Sequence, residues 1–328
     1  MAPTLTDVAK RADVALSTAS RAFSDPQRLG PDTLRKVLDA AQELGYQTTK
    51  PPEGQVAGST VAMVVPDIAN PVYGTLVKAA QGEGRRRRHT LVLHDTDRDP
   101  EREREAIAHL RSQVSAIVLC SSRLPADELV ELCGSTPSVL INQEHDGVDC
   151  VLADAGDGLR QAVDYLAALG HGSIAFVSGS THSWSSPRRV QLVEALAAEA
   201  GLSLHVLDWH AETVAAGTAV AASVLATGAS AVITHNDLVA FGVIKGARAL
   251  GVQVPEGLSV IGIDDVALTE VSRPSLTSIS IPWSKAGTLS MELLGPILGG
   301  HRPPPRKHLL PAHLVVRDST APPARRPA

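Results

Sequence analysis

The stretch Thr4–Phe23, "TLTDVAKRADVALSTASRAF", lies near the start of the chain and predicts two short helices. Thr4 can cap a helix through its side-chain oxygen, and Asp7 three positions later completes a capping-box pattern. The apolar residues that follow are spaced as one face of a helix. Asp13–Ala15 interrupts this spacing before a second run from about Leu16 to Phe23. Two short helices joined by a tight turn are typical of a helix-turn-helix.

A third helix is predicted to begin at Pro31, a favoured first helical position, and to stop at Gly45. In the second helix, Ala19 and Ala22 share one face with Phe23, while Ser17 and Arg21 lie on the other. The residues of the third helix that we expect to be buried are Leu34, Val37, Leu38, Ala41 and Leu44. Spacing alone leaves two interpretations open: a small helical cap that binds nothing, or a DNA-binding headpiece.

Composition indicates a globular chain, because 44% of the 328 residues are hydrophobic and 20% are charged. We see no apolar run long enough to span a membrane and no secretory signal. The three cysteines, Cys120, Cys133 and Cys150, lack metal-ligand spacing, which favours a reducing cytoplasm and predicts no metal or cofactor. The net charge of −5 permits nucleic-acid binding by a local surface but does not argue for it.

The sequence around the opening stretch, which continues as "LGPDTLRKVLDAAQELGY", resembles the DNA-binding headpiece of the lac repressor (LacI) family over Thr4–Tyr46. The resemblance implies a DNA-binding domain at 1–46 whose second helix enters the major groove. By position in the family motif, the base readers are Leu16, Ser17 and Arg21. The side chains better placed for phosphates are Thr4 and Ser20. Ala15 stands where the family usually has a capping serine.

Residues 47–59 form the hinge or linker in this pattern. In the family, a short helix forms here on DNA and wedges a leucine into the minor groove. This chain has two prolines and two glycines in "QTTKPPEGQVAGST", which disfavours a helix. Val56 is the only candidate wedge. A flexible linker and a hinge helix that orders on DNA therefore both remain open.

From Thr60 onward, short apolar runs alternate with helical stretches, which predicts parallel βαβ units. The runs include "TVAMVVPD", "TLVLHD", "AIVLCSS", "SVLINQ", "SIAFVSGS", "AVITHND" and "SVIGIDD". Ligands bind beyond the carboxyl ends of strands in open parallel sheets. The polar residues that we expect along this rim are Asp67, Asn70, Asp95, Ser121, Asn142, Asn236, Asp237 and Asp264.

The same span resembles the effector domain of that family, which shares the fold of periplasmic sugar-binding proteins. The matching blocks include "PDIANPVYG", "LGHGSIAFVSG" and "HNDLVAFGVIKGARALGVQVPEGLSVIGIDD". The resemblance implies a two-lobed ligand-binding domain at 60–317. Its first lobe takes about 60–152 and 282–306, and its second about 153–281 and 307–317. We predict that the Pro-rich tail at 318–328 is disordered.

Within this cleft, Arg188 matches the family's ligand-binding arginine, and Asp264 matches its ligand-binding acid. Tyr73, Trp184 and Trp283 are the aromatic side chains predicted to stack on a flat ligand. This mixture of groups suits a sugar or sugar derivative, with a non-sugar metabolite such as a nucleoside or purine as the alternative. The sequence predicts neither the identity of the effector nor the operator, nor whether the effector induces or co-represses.

A run of four arginines, Arg85–Arg88, is predicted to end a helix opposite the side that faces DNA and to be a solvated surface. We find no Walker loop, dinucleotide fingerprint, zinc-protease motif or nucleophile elbow, and so predict that the protein is not an enzyme. The fold class predicted is a small all-α helix-turn-helix headpiece plus an α/β two-lobed periplasmic-binding-protein-like effector domain. The predicted function is an effector-controlled repressor that binds a palindromic operator as a homodimer, with no membrane partner.

Overall fold

A computed structural model describes residues 3–24, 28–46, 58–208 and 211–324. The chain divides into two compact units, Met1–Gly58 and Ser59–Ala328. The first unit consists of helices α1 Leu5–Arg11, α2 Leu16–Ser24 and α3 Pro31–Leu44. Its second helix follows the first after a short turn, as the sequence predicts.

Local signals in the sequence fix the ends of these helices. The Thr4 hydroxyl oxygen accepts a hydrogen bond from the Asp7 N–H at 3.3 Å, and the Asp7 carboxylate accepts one from the Thr4 N–H at 2.8 Å. Gly45 ends α3 with a φ of 65°, a left-handed conformation that glycine adopts without strain. The capping box and both predicted ends of the third helix are therefore confirmed.

The core of the first unit is formed by Val8, Ala19 and Val37, none of which is exposed. The prediction that Leu38 is buried is wrong, because this side chain is 44% exposed. Ala40 lies in the core instead. The face of α3 that packs against the two shorter helices contains Val37, Ala40 and Ala41. Leu38 lies to one side of this face and points toward solvent.

The second unit contains two six-stranded sheets with helices packed against them. The order of the first sheet is β11-β5-β4-β3-β1-β2, and that of the second is β12-β10-β9-β8-β6-β7. The pairs are parallel except that β12 runs antiparallel to β10. The strands are β1 Thr60–Val65, β2 Thr90–Asp95, β3 Ala116–Cys120, β4 Ser138–Ile141, β5 Asp149–Asp154, β6 Ser173–Val177, β7 Ser203–Leu207, β8 Ala231–Thr234, β9 Ser259–Asp264, β10 Thr277–Ser280, β11 Lys307–Pro311 and β12 His313–Val315.

The helices of the second unit follow the strands in the alternating order that the sequence predicts. They are α4 Pro71–Arg86, α5 Pro100–Leu110, α6 Ala126–Cys133, α7 Gly156–Ala168, α8 Ser185–Glu199, α9 Val214–Ala226, α10 Asp237–Ala249, α11 Leu268–Val271 and α12 Trp283–Leu298. The first sheet defines one lobe and the second sheet the other. The chain crosses between them after β5, after β10 and between β11 and β12. The predicted fold class is thus confirmed.

The third crossing differs from the sequence prediction, which gave the whole of 307–317 to the second lobe. Strand β11 pairs with β5 in the first sheet, where Leu309 lies opposite Leu152. Strand β12 pairs with β10 in the second sheet, where Leu314 lies opposite Ile279. The apolar run "HLLPAHLVV" resembles one strand in sequence, but the chain leaves the first sheet at Pro311, so the run is shared between the lobes.

The prediction that 318–328 is disordered is wrong for the part that the structure describes, up to residue 324. Ser319 is fully buried. Its hydroxyl donates to the Val260 carbonyl at 2.6 Å and accepts from the Thr277 N–H at 2.8 Å. The backbone of this segment also accepts a bond from the Val260 N–H at 2.8 Å. These bonds to β9 and β10 outweigh the disorder that the Pro-rich composition favours.

Helix α4 runs antiparallel to the strands of its sheet, so it ends at the edge where those strands begin. Arg85–Arg88 lie there and are exposed, as predicted for a solvated surface. That they lie away from the DNA side stays a prediction, and within this unit they lie near the point where the chain enters it. The Thr90 N–H next to them donates to the Ser59 carbonyl at 3.0 Å, and Ser59 is where the chain from the helix-turn-helix enters this unit.

Glycines allow α9 and α10 to pack with their backbones in contact. A Cβ atom at Gly242 would collide with backbone atoms of Val214, Gly217 and Thr218. We therefore expect Gly242→Ala to lower the free energy of unfolding by about 1–3 kcal/mol, because the helices must move apart. Urea unfolding measures this change. Gly74→Ala is the control and should change the free energy of unfolding little, because a Cβ at Gly74 meets no atom within 4 Å. Gly201→Ala is unsuitable, since Gly201 has a φ of 68°.

Candidate DNA-reading helix and effector cleft

Helix α2 presents a polar face beside a buried one. Ala19 and Ala22 are 0% and 4% exposed and hold the helix against its neighbours. On the other side Leu16 is 50% exposed, and the side chains of Ser17, Ser20 and Arg21 are also exposed. Four of the predicted DNA contacts therefore lie on the accessible surface of one short helix.

The two other predicted DNA contacts, Thr4 and Val56, do not lie on α2. The Thr4 side chain is exposed, but its hydroxyl donates to the Asp7 carboxylate at 2.6 Å as part of the capping box. Val56 lies outside the described residues. The start of α2 lacks a side-chain cap, as the sequence predicts, because only the Ala15 carbonyl is available there and accepts from the Thr18 and Ala19 N–H groups.

The effector cleft lies between the carboxyl ends of strands from the two sheets. A set of mostly polar side chains converges there, and the space between them is about 30 Å³, enough for two or three water molecules. The residues that line it are Asn70, Val72, Tyr73, Ser121, Arg123, Asn142, Ser183, Ser185, Arg189, Glu212, His235, Asn236, Asp264 and Trp283. Seven of the twelve residues predicted for the ligand rim are in this set.

Backbone strain is concentrated at the strand ends that line the cleft. Ser121, Asn142 and Asp264 have φ angles of 45°, 53° and 112°, which side chains other than glycine rarely adopt. Asn142 stabilises its own turn, since its amide oxygen accepts from the Ala153 N–H at 2.9 Å and its NH₂ donates to the Ser121 hydroxyl at 3.3 Å. Strain of this kind is commonly retained where side chains must be held in position for binding.

Arg189 is the cationic group at the centre of the cleft and is 4% exposed. Its guanidinium donates to the His235 carbonyl at 2.6 Å, and its Nε has no hydrogen-bond partner among the described residues. Burial lowers the pKa of Arg189, and the opposite charges of Asp264 and Glu212 resist that change. A buried guanidinium with an unused donor is suited to binding a hydroxyl or carboxylate oxygen.

Asp264 is an acidic residue that lines the cleft and can contact a ligand. It ends β9 and is 8% exposed. Burial raises the pKa of its carboxyl to about 7, and the positive charge of Arg189 opposes the rise. At neutral pH, Asp264 thus exists in both protonation states and can donate or accept a hydrogen bond.

An ion pair between Arg123 and Glu212 joins the two lobes across the cleft. The Arg123 guanidinium donates to the Glu212 carboxylate at 2.9 Å, and the side chains are 5% and 11% exposed. Burial alone would raise the pKa of Glu212, but the positive charge that His235 carries when protonated and that of Arg123, with hydrogen bonds from Arg123 and the Ser180 N–H, outweigh it and lower the pKa to about 2. Burial lowers the pKa of the neighbouring His235 to about 3, so this ring is neutral.

The Arg123–Glu212 pair also separates the cleft from a second cavity of about 370 Å³. Both residues line the two cavities, and Arg98, Ser180 and His182 line only the outer one. A sugar ring does not fit the inner space as it stands, so binding of a ring there requires the lobes to move or the pair to separate. Sequence reasoning missed four residues of the cleft: Arg123, Arg189, Glu212 and His235. Arg189 and His235 each adjoin a residue that was predicted, Arg188 and Asn236, whereas Arg123 and Glu212 lie in loops.

Two of the predicted ligand contacts lie beside a neighbouring crevice instead. The Arg188 guanidinium stacks on the Trp184 ring, 4.1 Å from its centroid, and pairs with Glu144 at 3.3 Å. Both side chains line a crevice of about 250 Å³ together with Leu192 and Leu309. The prediction placed the cleft arginine one residue early, because successive side chains on a helix point about 100° apart and Arg189 is the one that faces inward.

Three more of the predicted acids have structural contacts outside the cleft. Asp67 pairs with Arg98 at 3.3 Å, and the Asp95 carboxylate accepts from the Ile68 N–H at 3.1 Å, so both hold loops. Asp237 is 1% exposed and accepts from the Ser278 hydroxyl at 2.6 Å and the Val266 N–H at 2.8 Å. Burial and the nearby Asp264 raise the pKa of Asp237 well above its usual value.

Neither a membrane span nor a metal cluster is found in the described parts of the chain. No helix there combines the length and apolar character needed to cross a bilayer. No group of three or more His, Cys, Asp or Glu side chains is arranged to hold a metal ion within those same residues.

Comparison with known proteins agrees with this two-part architecture. Residues 4–49 match the family described as bacterial regulatory proteins of the lacI family, and residues 163–320 match the periplasmic binding protein-like domain. The regulator DegA of Bacillus subtilis is 29% identical over 98% of this chain and 99% of its own. A solved complex of the regulator CelR with cellobiose is 27% identical, with a TM-score of 0.71, over 97% of this chain and 99% of that one.

The fold as a whole also matches a lac repressor dimer bound to operator and the anti-inducer ONPF. The TM-score is 0.74 at 24% identity, over 98% of this chain and all of the other. A helix-turn-helix unit followed by a two-lobed periplasmic-binding-protein-like domain defines a class of transcriptional regulators rather than enzymes. The chain belongs to the LacI family of bacterial transcriptional regulators.

Proposed function

We propose that this protein is a transcriptional repressor that binds an inverted-repeat operator as a homodimer and whose operator affinity is controlled by a sugar or sugar derivative. The observation that carries the DNA-binding part is the exposed face of α2, with Leu16, Ser17 and Arg21 accessible beside a buried alanine stripe. Arginine reads guanine O6 and N7 as a bidentate pair, and leucine offers apolar contact to a thymine methyl. A regulator of DNA acts in the cytoplasm.

A sugar effector is supported by the chemistry of the cleft. Asn142 and Asn236 offer amide donors and acceptors, and Asp264 with Arg189 adds charge-assisted hydrogen bonds. Trp283 and Tyr73 supply flat apolar surfaces beside them. Hydroxyl-rich ligands need this combination of many polar partners and an aromatic face. The cellobiose complex of CelR, 27% identical to this chain, supports the same ligand class.

Homodimer formation is supported by apolar side chains left on the surface of the second unit. On the edge strand β2, Val92 and Leu93 are 41% and 39% exposed. In the other lobe, Leu250, Leu268 and Val271 are 55%, 50% and 69% exposed. Exposed apolar side chains are available for burial in a protein interface, and a two-fold dimer reads two half-sites of an inverted repeat.

The test of this function is Arg21→Ala. An operator is first selected from random duplexes with the wild-type protein, and affinities are then measured at moderate salt. We expect the variant to lose about 1–3 kcal/mol on the selected site and to relax one base position in each half-site. Binding to random duplexes should change little. Arg248→Ala, which removes an equal charge from the exposed end of α10, serves as the control.

Equal affinity of the wild-type protein for selected and random duplexes would overturn the proposal. A loss of affinity in Arg248→Ala as large as that in Arg21→Ala would show instead that charge alone, rather than base reading by α2, produces the effect.

A further inference from the structure

Arg85–Arg88, called the arginine patch below, carries more positive charge than its local structure uses. All four side chains are exposed. Glu83 pairs with Arg86 at 3.3 Å and with Arg87 at 2.7 Å, so one carboxylate serves two guanidiniums. Arg85 and Arg88 have no ion-pair partner within the described residues. The patch is thus left with a net positive charge on a chain whose overall charge is −5.

Helix stability explains only part of this arrangement. A basic side chain near the carboxyl end of a helix interacts favourably with the helix dipole, and Arg85 and Arg86 occupy the last turn of α4. The two arginines that follow lie beyond the helix and repel the first two. Arg88 also has a φ of 60°, which costs backbone energy for a residue other than glycine. A run of four is therefore more than the helix end requires.

The position of the patch suggests DNA phosphates as its binding partner. The patch lies next to Thr90, whose N–H donates to the Ser59 carbonyl at 3.0 Å, at the edge where the chain from the DNA-reading helices enters this unit. Thirteen peptide units separate Tyr46 from Ser59, a contour of about 45 Å at full extension. The DNA-reading helices are thus joined through this segment to the edge that carries the patch.

We propose that the arginine patch binds backbone phosphates of the DNA that flanks the bases read by α2. This inference rests on the proposed DNA-binding function and adds a second, sequence-independent contact from the effector unit. Guanidinium groups bind phosphate oxygens through paired hydrogen bonds and release condensed counterions. Arg87 is already held beside Gly295 of α12 and paired with Glu83, so Arg85 and Arg88 are the phosphate contacts.

The experiment compares Arg85→Gln/Arg88→Gln with the control Arg248→Gln/Arg273→Gln in the full-length protein. The control removes the same charge from exposed positions in the other lobe. Binding to a fluorescent 40-base-pair duplex of random sequence is measured from 50 to 200 mM salt. For the patch variant we expect a slope of log K against log salt that is smaller by about 0.9 per lost contact, and a Kd raised about tenfold.

Equal slopes and affinities in the patch variant and the control would overturn the inference. Failure of the wild-type protein to bind any duplex would overturn the proposed function itself, so the two outcomes are distinguishable. A photo-crosslinking residue at position 85 gives a second measurement. It should crosslink to the duplex, whereas the same residue at position 248 should not, and crosslinking at 248 alone would contradict the patch as well.

Discussion

Arg189→Ala is expected to abolish the response to the effector while operator binding remains, and Arg188→Ala is expected to change neither. Arg189 is buried at the centre of the cleft, where its Nε is unpaired among the described residues. Removing one partner of a buried, charge-assisted hydrogen bond costs about 2–5 kcal/mol, or about 30- to 5,000-fold in affinity. Arg188 is exposed and stacks on Trp184 outside the cleft.

The measurement begins with a thermal-shift screen of mono- and disaccharides on the wild-type protein, because a bound ligand raises the free energy of unfolding by RT ln(1 + [L]/Kd). The sugar that stabilises most is then titrated into both variants, and operator affinity is measured with and without it. Arg189→Lys, which keeps the charge, should recover part of the binding if the guanidinium acts chiefly through charge. A response to the sugar that is lost in Arg188→Ala but retained in Arg189→Ala would contradict this prediction and would show that Arg188, the residue matched by sequence, binds the ligand.

The helix-turn-helix could be predicted almost completely from sequence because its signals are local. Thr4 and Asp7 cap each other across three residues, and Gly45 ends α3 because its φ of 65° suits glycine. The strands with continuous apolar runs, such as β1 and β9, were also predictable, since both faces of these strands are buried. Such signals depend only on neighbours in the chain.

The cleft could be predicted only in part, because strand ends indicate an edge but not the direction of each side chain. Asn142, Asn236 and Asp264 point into the cleft, whereas Asp237, one residue after Asn236, turns into the sheet and bonds to Ser278. Adjacent residues at a helix start face different ways. The same reason separates Arg188 from Arg189.

The Arg123–Glu212 pair has no signal in the sequence at all. The two residues are 89 positions apart and belong to loops of different lobes, and each alone resembles an ordinary surface charge. Only the packing of one lobe against the other buries both and makes the pair part of the wall between two cavities. Residues whose role depends on contact between lobes are those that reasoning from periodicity and strand ends misses.

Asp264→Asn is expected to make the effector unit more stable at pH 8 and unresponsive to its ligand. Burial raises the pKa of Asp264 to about 7 in the folded protein, against about 3.9 in an unfolded chain. Between these values the unfolded state releases a proton that the folded state keeps, so stability falls as pH rises from about 4 to 7. Above pH 7 the penalty is complete, and each pKa unit corresponds to about 1.4 kcal/mol, which gives up to about 4 kcal/mol.

Asparagine has a similar shape and cannot ionise, so the variant should be free of this penalty. Urea unfolding at pH 4, 5, 6, 7 and 8 should show the variant gaining over the wild type as pH rises, with the smallest difference at pH 4. Asp157→Asn, which changes an exposed carboxylate on α7, is the control and should show no such trend. A difference that does not change with pH, or a variant less stable than the wild type at pH 8, would contradict the raised pKa. A variant that is more stable than the wild type and still fails to respond to the sugar has lost the binding group and not the fold. That result would mean that the carboxylate at this strained strand end lowers the stability of the protein and is retained because it binds the ligand.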